Sequence, residues 1–255
     1  MGKGRRARTF SVFVGVVTLA LAFGRDASAA PAAGTSDGLG RPLFLVVLPA
    51  AVSLLPIVFM ATTAFVKIST VLQIARNALG AQNVPSNTVL LALAAVLAAV
   101  AMAPVGSAIA TRAAPVVERA AAMETPELLR EGAHAVGDPL RSFLHLNSTP
   151  REATRFFGLA KAARPVGARD DVHDDDFAVL VPAFIVSELN RAFALGVAIF
   201  LPFLVLDLVV ANVLVAAGLA SLSPAQVSLP LKLLLFLAID GWGLLARALL
   251  VGYRF

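Results

Sequence analysis

The stretch Pro230 Leu231 Lys232 Leu233 Leu234 Leu235 Phe236 Leu237 Ala238 Ile239 Asp240 Gly241 Trp242 sets two charges into an otherwise apolar run. Either charge, placed at the centre of a bilayer and facing lipid, would cost roughly 3 kcal/mol. The segment is therefore expected to turn both toward protein or water. At about 100° per residue, Lys232 and Asp240 lie within about 80° of each other on a continuous helix, which would aim them into one shared interface.

The rest of the chain is apolar in the same way. Of 255 residues, 58% are hydrophobic and 15% charged, too few polar groups to wet an ordinary soluble domain. The net charge of +5 invites a nucleic-acid reading, but five of the 21 basic residues and one of the 16 acids precede residue 30. The remainder is 16 against 15, a net charge of +1, so the basicity belongs to the N-terminal segment and nucleic acid is not an expected partner. The chain has no cysteine, which removes disulfides, thiol nucleophiles and cysteine zinc sites.

Lys3, Arg5, Arg6 and Arg8 precede an apolar run from Phe10 to Phe23, followed by Ala27 Ser28 Ala29. This is the pattern of a signal peptide over residues 1–29, cleaved after Ala29, with residues 30–42 as a flexible lead-in. A retained membrane helix is the competing reading, but the run is shorter than the ~20 residues a span requires. From Leu43 to Val66 the chain is uncharged and long enough to cross a bilayer, with Pro49 and Pro56 expected to kink or divide it. A second uncharged run covers Val89–Ala110, with Ser86 or Asn87 as N-cap and Pro104 and Gly106 loosening its far end. Residues 43–110 are thus expected to form a first hydrophobic hairpin. Its loop, residues 67–88, contains Lys67 and Arg76 and no acid, which places it on the cytoplasmic side.

Residues 111–176 hold nine Lys or Arg, eleven Asp or Glu and all three histidines, and by alternation lie outside the cytoplasm. Thr125 Pro126 Glu127, Asp138 Pro139 Leu140 and Thr149 Pro150 Arg151 Glu152 each suggest an N-cap with proline at the first helical position, the third with a capping-box glutamate. The expectation is a small cluster of short helices. Leu140, Phe143 and Leu144 would give it one apolar face, and Phe156, Phe157 and Leu159 another. So small a region is expected to pack against neighbouring copies or partners.

Residues 177–255 return to apolar sequence as a second hydrophobic hairpin region. Glu188 and Arg191 stand at i, i+3 and suit a local pair. From Ala192 to Leu231 only Asp207 is charged, and a turn signal over residues 218–224 divides the length into two helices. Prolines at 202, 224 and 230 are expected to break regularity. The fold class expected from these patterns is all-α, with membrane-associated helical hairpins on either side of a small extracytoplasmic helical domain.

Three stretches of this sequence resemble the FliP/SctR (YscR-like) family of the type III secretion export apparatus, shared by virulence injectisomes and bacterial flagella. The first runs from Met60 through Phe65 Val66 Lys67 to Arg76 Asn77 Ala78 Leu79 Gly80 and Val84 Pro85 Ser86 Asn87. The second is Val181 Pro182 Ala183 Phe184 Ile185 Val186 Ser187 Glu188 Leu189, continuing to Leu201 Pro202 Phe203 Leu204 Val205 Leu206 Asp207. The third is Pro230 to Trp242, with Pro230, Lys232, Asp240, Gly241 and Trp242 as its signature positions.

The resemblance implies a pore-forming core subunit of a protein-export gate. In the family several copies, a pentamer, assemble with the S and T export-apparatus proteins into a helical pore, alongside the switch (U) protein, and pass unfolded substrates through it. It also implies that the apolar hairpins lean on neighbouring subunits, partly lifted out of the bilayer plane. Arg76 Asn77 Ala78 Leu79 Gly80 and Met60 Ala61 Thr62 Thr63 are similar to injectisome members, while a cleaved signal peptide is more usual in flagellar ones; the injectisome is the favoured reading. Family members carry consecutive methionines as a gasket where this chain has Leu219 Ala220 Ser221. The constriction expected from the resemblance is Leu219, Ala220, Ser221 and Leu222, built from smaller and stiffer side chains than methionine.

Other chemistries are weaker. Asp207 and Asp240 would be the carboxylate pair of an intramembrane aspartyl protease, but Leu237 Ala238 Ile239 replaces the glycine-rich approach that class requires. The same acids would serve a proton-coupled transporter as relays. Asp170 Asp171 Val172 His173 Asp174 Asp175 Asp176 suits a solvated loop better than a metal site, since nothing fixes ligand geometry. His134 and His145 are ordinary packing or surface residues. Without a nucleophile elbow or a phosphate loop, no enzyme activity, metal or cofactor is expected. Energy for export must then come from elsewhere, a separate ATPase or the proton gradient. Lys232 is expected to pair with Asp207, Asp240 or Glu188 of the same or an adjacent subunit, making these four the structural charges of the apolar segments.

Overall fold

The computed structural model describes residues 53, 54, 56–81, 85–219 and 221–255. The signal peptide, the lead-in, the start of the first hairpin and Ala220 lie outside the described residues. Those described fold as helices: α1 (Pro56–Thr62), α2 (Phe65–Leu79), α3 (Asn87–Ala101), α4 (Ala103–Arg119), α5 (Thr125–Asn147), α6 (Pro150–Ala162), α7 (Phe177–Ala216), α8 (Pro224–Ala238) and α9 (Gly241–Val251). No strand occurs among the described residues.

The core is built on α2 and α7. Ile68, Val71, Leu72, Ala75, Ala78 and Leu79 recur at helical spacing along α2 and are all almost fully buried. This helix occupies most of what composition alone marks as a hairpin loop. The reason is that its two charges do not make it polar: Lys67 is buried in the interior, and Arg76 is half-buried at the far end. α2 ends at Gly80, whose φ of 71° is the left-handed conformation a helix stop favours; its N–H donates to Asn77 O at 3.1 Å.

The apolar runs are bent more than their length suggests. α1 meets α2 at 80°, α3 meets α4 at 55° and α8 meets α9 at 60°. The α3–α4 break at Met102 is followed by Pro104, which lacks the N–H needed to continue the ladder. Ser86 caps α3, its hydroxyl accepting from Val89 N at 3.4 Å. The change of composition at residue 111 falls inside α4.

α7 is continuous over 40 residues, through Pro182 and Pro202. It is the one helix among the described residues long and apolar enough by itself to cross a membrane, or one of up to four spans if each bent pair counts as one. α8 likewise runs through Pro230 and starts with Pro224 at its first turn, where a missing N–H removes no helical bond. Against α2, α7 packs closely at Gly196: a Cβ there would lie 2.6 Å from Ile74 Cδ1 and 2.9 Å from its Cγ2, so any larger residue would have to displace the Ile74 side chain.

The polar region forms longer helices than expected. Asp138 Pro139 is not a helix start, because α5 continues through Pro139 to Asn147. At Thr125 the helix begins one residue early, with Glu124 at the cap position. Thr149 occupies the N-cap position of α6 but makes no side-chain cap bond: its N–H donates to Ser187 Oγ at 2.9 Å and its hydroxyl pairs with the same oxygen at 3.1 Å, so Glu152 closes no capping box and instead pairs with Arg155 at 3.1 Å. Phe143 and Leu144 are buried within the α2–α7 core, with Leu140 packed beside them, so the end of α5 shares the main core. Phe156, Phe157 and Leu159 form no second buried face; Leu159 stays 55% exposed.

Candidate functional site

Among the described residues, chemistry-bearing side chains gather in two interior clusters, in an exposed network across α4 and α5 where Asp138 meets Arg112 at 3.1 Å and Arg141 at 3.4 Å, and in one exposed loop. The first cluster joins α2, α7 and the segment after α9. Glu188 and Lys67 are both almost completely buried, with Glu188 Oε2 3.4 Å from Lys67 Nζ. The other carboxylate oxygen accepts from Arg191 Nη1 at 2.8 Å, the local i, i+3 pair legible in the sequence. Lys67 Nζ also stands 3.4 Å over the centroid of the Tyr253 ring, a cation–π contact in a dry setting. The Tyr253 hydroxyl donates to Ala64 O at 3.2 Å. Burial, reinforced by the Glu188 charge, pushes this phenol above its ordinary range, so it stays protonated and keeps donating.

The second cluster lies where α2, α7 and α8 converge. Lys232 Nζ donates to Asp207 Oδ2 at 2.6 Å and to Ala78 O at 3.4 Å. Of the three acids left open as its partner, Asp207 of the same chain is the one in reach. Lys232 is 9% exposed and Asp207 37%, so the cation sits in the protein while the carboxylate opens onto a groove lined by Gly80, Leu204, Ala211 and Ser228.

Asp240 does not share that interface. α8 ends at Ala238, and Asp240 adopts a left-handed φ of 52° as the residue before α9, exposed at the 60° bend. The helical extrapolation that put it beside Lys232 fails because the helix stops before reaching it. Gly241, next in the chain, is buried against the Phe236 ring with no room for a Cβ. Trp242 meets the same ring edge-on at 5.1 Å. Asp207 is held by Lys232, whereas Asp240 lies outside that pair at the α8–α9 bend, so the two acids do not form a bonded carboxylate pair. In the acidic loop, His173 N–H donates to Asp176 Oδ2 at 3.0 Å, a local turn, and no group of three metal-ligating side chains forms among the described residues.

The α7–α8 loop is shaped by hydrogen bonds. Gly218, at φ 72°, donates to Val215 O at 3.1 Å and Leu219 N–H to Leu214 O at 2.9 Å, the paired closure that ends a helix on a left-handed glycine. Leu219, Ser221 and Leu222 then stand exposed at the tip, with Leu222 N–H returning to Leu219 O at 3.0 Å. The other signature positions serve the frame: Arg76 is half-buried and Asn77 exposed at the end of α2, Pro182 is half-buried, and Pro202 and Pro230 face outward. Sequence reasoning missed the central roles of Asn147 and Tyr253. Nothing in their spacing marks them, because their partners are far away in the chain.

Residues 48–249 match the FliP family. The hypersensitivity response secretion protein HrcR of Ralstonia nicotianae is 39% identical over 210 residues, 82% of this chain and 96% of its own length. The virulence protein YscR of Salmonella typhimurium is 40% identical over 203 residues, 80% of this chain and 93% of its own. The flagellar biosynthetic protein FliP of Caulobacter vibrioides is 35% identical over 254 residues, 98% of this chain and 92% of its own. The chain therefore belongs to the FliP family, the FliP/SctR proteins of the type III secretion export apparatus. It is a membrane-associated transport protein that works among other apparatus components, and it is not an enzyme.

Proposed function

We propose that this chain is the pore-forming core subunit of a type III export gate of the injectisome kind, through which unfolded proteins cross the bacterial inner membrane. The observation that carries this reading is the α7–α8 hairpin. It presents Leu219, Ser221 and Leu222 uncovered at its tip, while α7 leaves Val197, Leu201, Leu204, Val205 and Leu208 exposed along its length. So much apolar surface requires lipid or other subunits to cover it. Copies of the chain, five in the complex, supply that cover together with the S and T proteins and the switch (U) protein. Around the axis, residues 219–222 form an apolar collar that excludes ions until substrate enters. The signal peptide over residues 1–29 exports the N-terminus, and residues 111–176 face the periplasm. The mechanism is passive: no residue performs chemistry on the substrate.

The injectisome assignment rests on identity, 39–40% to the HrcR and YscR relatives against 35% to the flagellar protein. A flagellar role is favoured by one observation, that the Caulobacter FliP match extends over 98% of this chain. Deleting the gene and scoring needle-dependent secretion against motility separates the two. The collar is tested with cysteines placed singly at 219, 220, 221 and 222 in this cysteine-free chain and crosslinked to an arrested substrate. Crosslinks at two or more positions are expected. Their absence at all four would remove the collar.

A further inference from the structure

Outside the charge pairs already described, the densest set of long-range polar bonds ties the last four residues to the core. α9 itself buries only Gly241, Leu245 and Leu249, and leaves Leu244 and Val251 54% and 76% exposed. Packing along its length holds it lightly. The segment that follows is held firmly. Asn147, 1% exposed at the end of α5, donates from Nδ2 to Arg254 O at 2.8 Å and accepts at Oδ1 from Arg254 N–H at 3.1 Å. The same Nδ2 donates to Phe143 O at 2.9 Å, and Asn147 O accepts from Arg191 Nη1 at 2.7 Å. Both amide protons and the amide oxygen are thereby used, which fixes the orientation of the carboxamide. Beside it, Tyr253 and Phe255 stack on Phe143 at 5.9 and 6.0 Å, and Tyr253 also holds Ala64 O and the Lys67 ammonium.

We infer that Gly252–Phe255 is a clasp and Asn147 its positioning residue: the clasp fixes α9 and, through the Asp240–Gly241 bend, sets the angle at which α8 carries the 219–224 loop. The α8–α9 arm is then held within α8 by the Lys232–Asp207 pair and by Phe236 against Phe203, and beyond α9 by the clasp. Asn147 is suited to this because no other residue of its shape both donates twice and accepts once. Aspartate keeps the shape and loses both donors, and would face the Phe143 and Arg254 carbonyls with a negative charge. The clasp also covers Lys67, so opening it would let water reach the Lys67–Glu188 pair.

The structural half of this inference stands without the pore reading; its consequence for export rests on that reading. The test is hydrogen exchange on the full chain, purified as the assembled complex in detergent, with Asn147→Asp, Tyr253→Ala and Tyr253→Phe compared with wild type. Amides of residues 241–251 are expected to lose protection at least tenfold in the first two variants, while those of 65–79 and 179–188 keep theirs. Tyr253→Phe retains stacking and loses one hydrogen bond, and is expected to fall between. Unchanged protection at 241–251, or an equal loss through α2 and α7, would overturn the clasp. Secretion and ion leakage, normalised to the amount of assembled complex, read the positioning role: a several-fold change in either is expected with assembly preserved. Local loosening with both unchanged would remove that role. A wild-type complex that passes no substrate would instead sink the pore proposal and leave the clasp untouched.

Discussion

Lys67 and Glu188 form a buried ion pair across the α2–α7 contact, Nζ to Oε2 at 3.4 Å with side chains 3% and 0% exposed. In so dry a place the Lys67 ammonium depends on Glu188, while Glu188 also has Arg191 at 2.8 Å. Glu188→Ala is expected to cost about 3–5 kcal/mol, because it strands the Lys67 ammonium, and Lys67→Ala less, because Glu188 keeps Arg191 at 2.8 Å. Replacing the two together, Lys67→Met with Glu188→Leu, is expected to cost far less, since Arg191 remains bonded to Asn147 O and is 36% exposed. Thermal unfolding of the purified protein in detergent checks this. Equal losses for the single and double variants would show that the pair is not the source of the effect.

The Asp207–Lys232 pair differs in being lopsided, 37% exposed on one side and 9% on the other. Removing the buried cation with Lys232→Met leaves a carboxylate that water can reach, at a cost of about 1 kcal/mol or less. Asp207→Ala leaves the ammonium inside with only Ala78 O, and is expected to cost about 2–3 kcal/mol. The same unfolding measurement ranks them. A larger loss for Lys232→Met would show that the packing of its stem matters more than the charge.

Asp240 is the one non-glycine among the described residues with positive φ, at 52°. A turn role predicts that Asp240→Gly is neutral or stabilising by up to ~1 kcal/mol, and that β-branched Asp240→Val costs about 1–2 kcal/mol. Secretion is expected to survive Asp240→Gly and Asp240→Asn. Complete loss in Asp240→Asn with normal assembly would return the carboxylate to a chemical role.

What was legible in the sequence followed from local chemistry. The apolar runs, the Ser86 cap, the prolines at helix starts and the Glu188–Arg191 pair all depend on residues within four positions of each other. The family resemblance rested on such local motifs too. Where spacing misled, a local signal was overruled by packing. Pro139 sits inside α5 although Asp138 Pro139 suggests a start. Lys67 and Arg76 suggested a loop, yet α2 carries the apolar repeat that makes it a core helix.

By itself, then, the sequence determined an all-helical, membrane-class chain with charges that must be shielded, because hydropathy and helix period are properties of short segments. Tertiary structure decided which charge shields which. Lys232 has Asp207 because the turn after Gly218 folds α8 back along α7. Glu188 has Lys67 because α7 packs along α2, and Asn147 holds Arg254 because α9 brings residues 252–255 back to the core. Each of these pairs joins residues far apart in the chain, and no periodicity connects them; only the path of the backbone through space brings them within bonding distance.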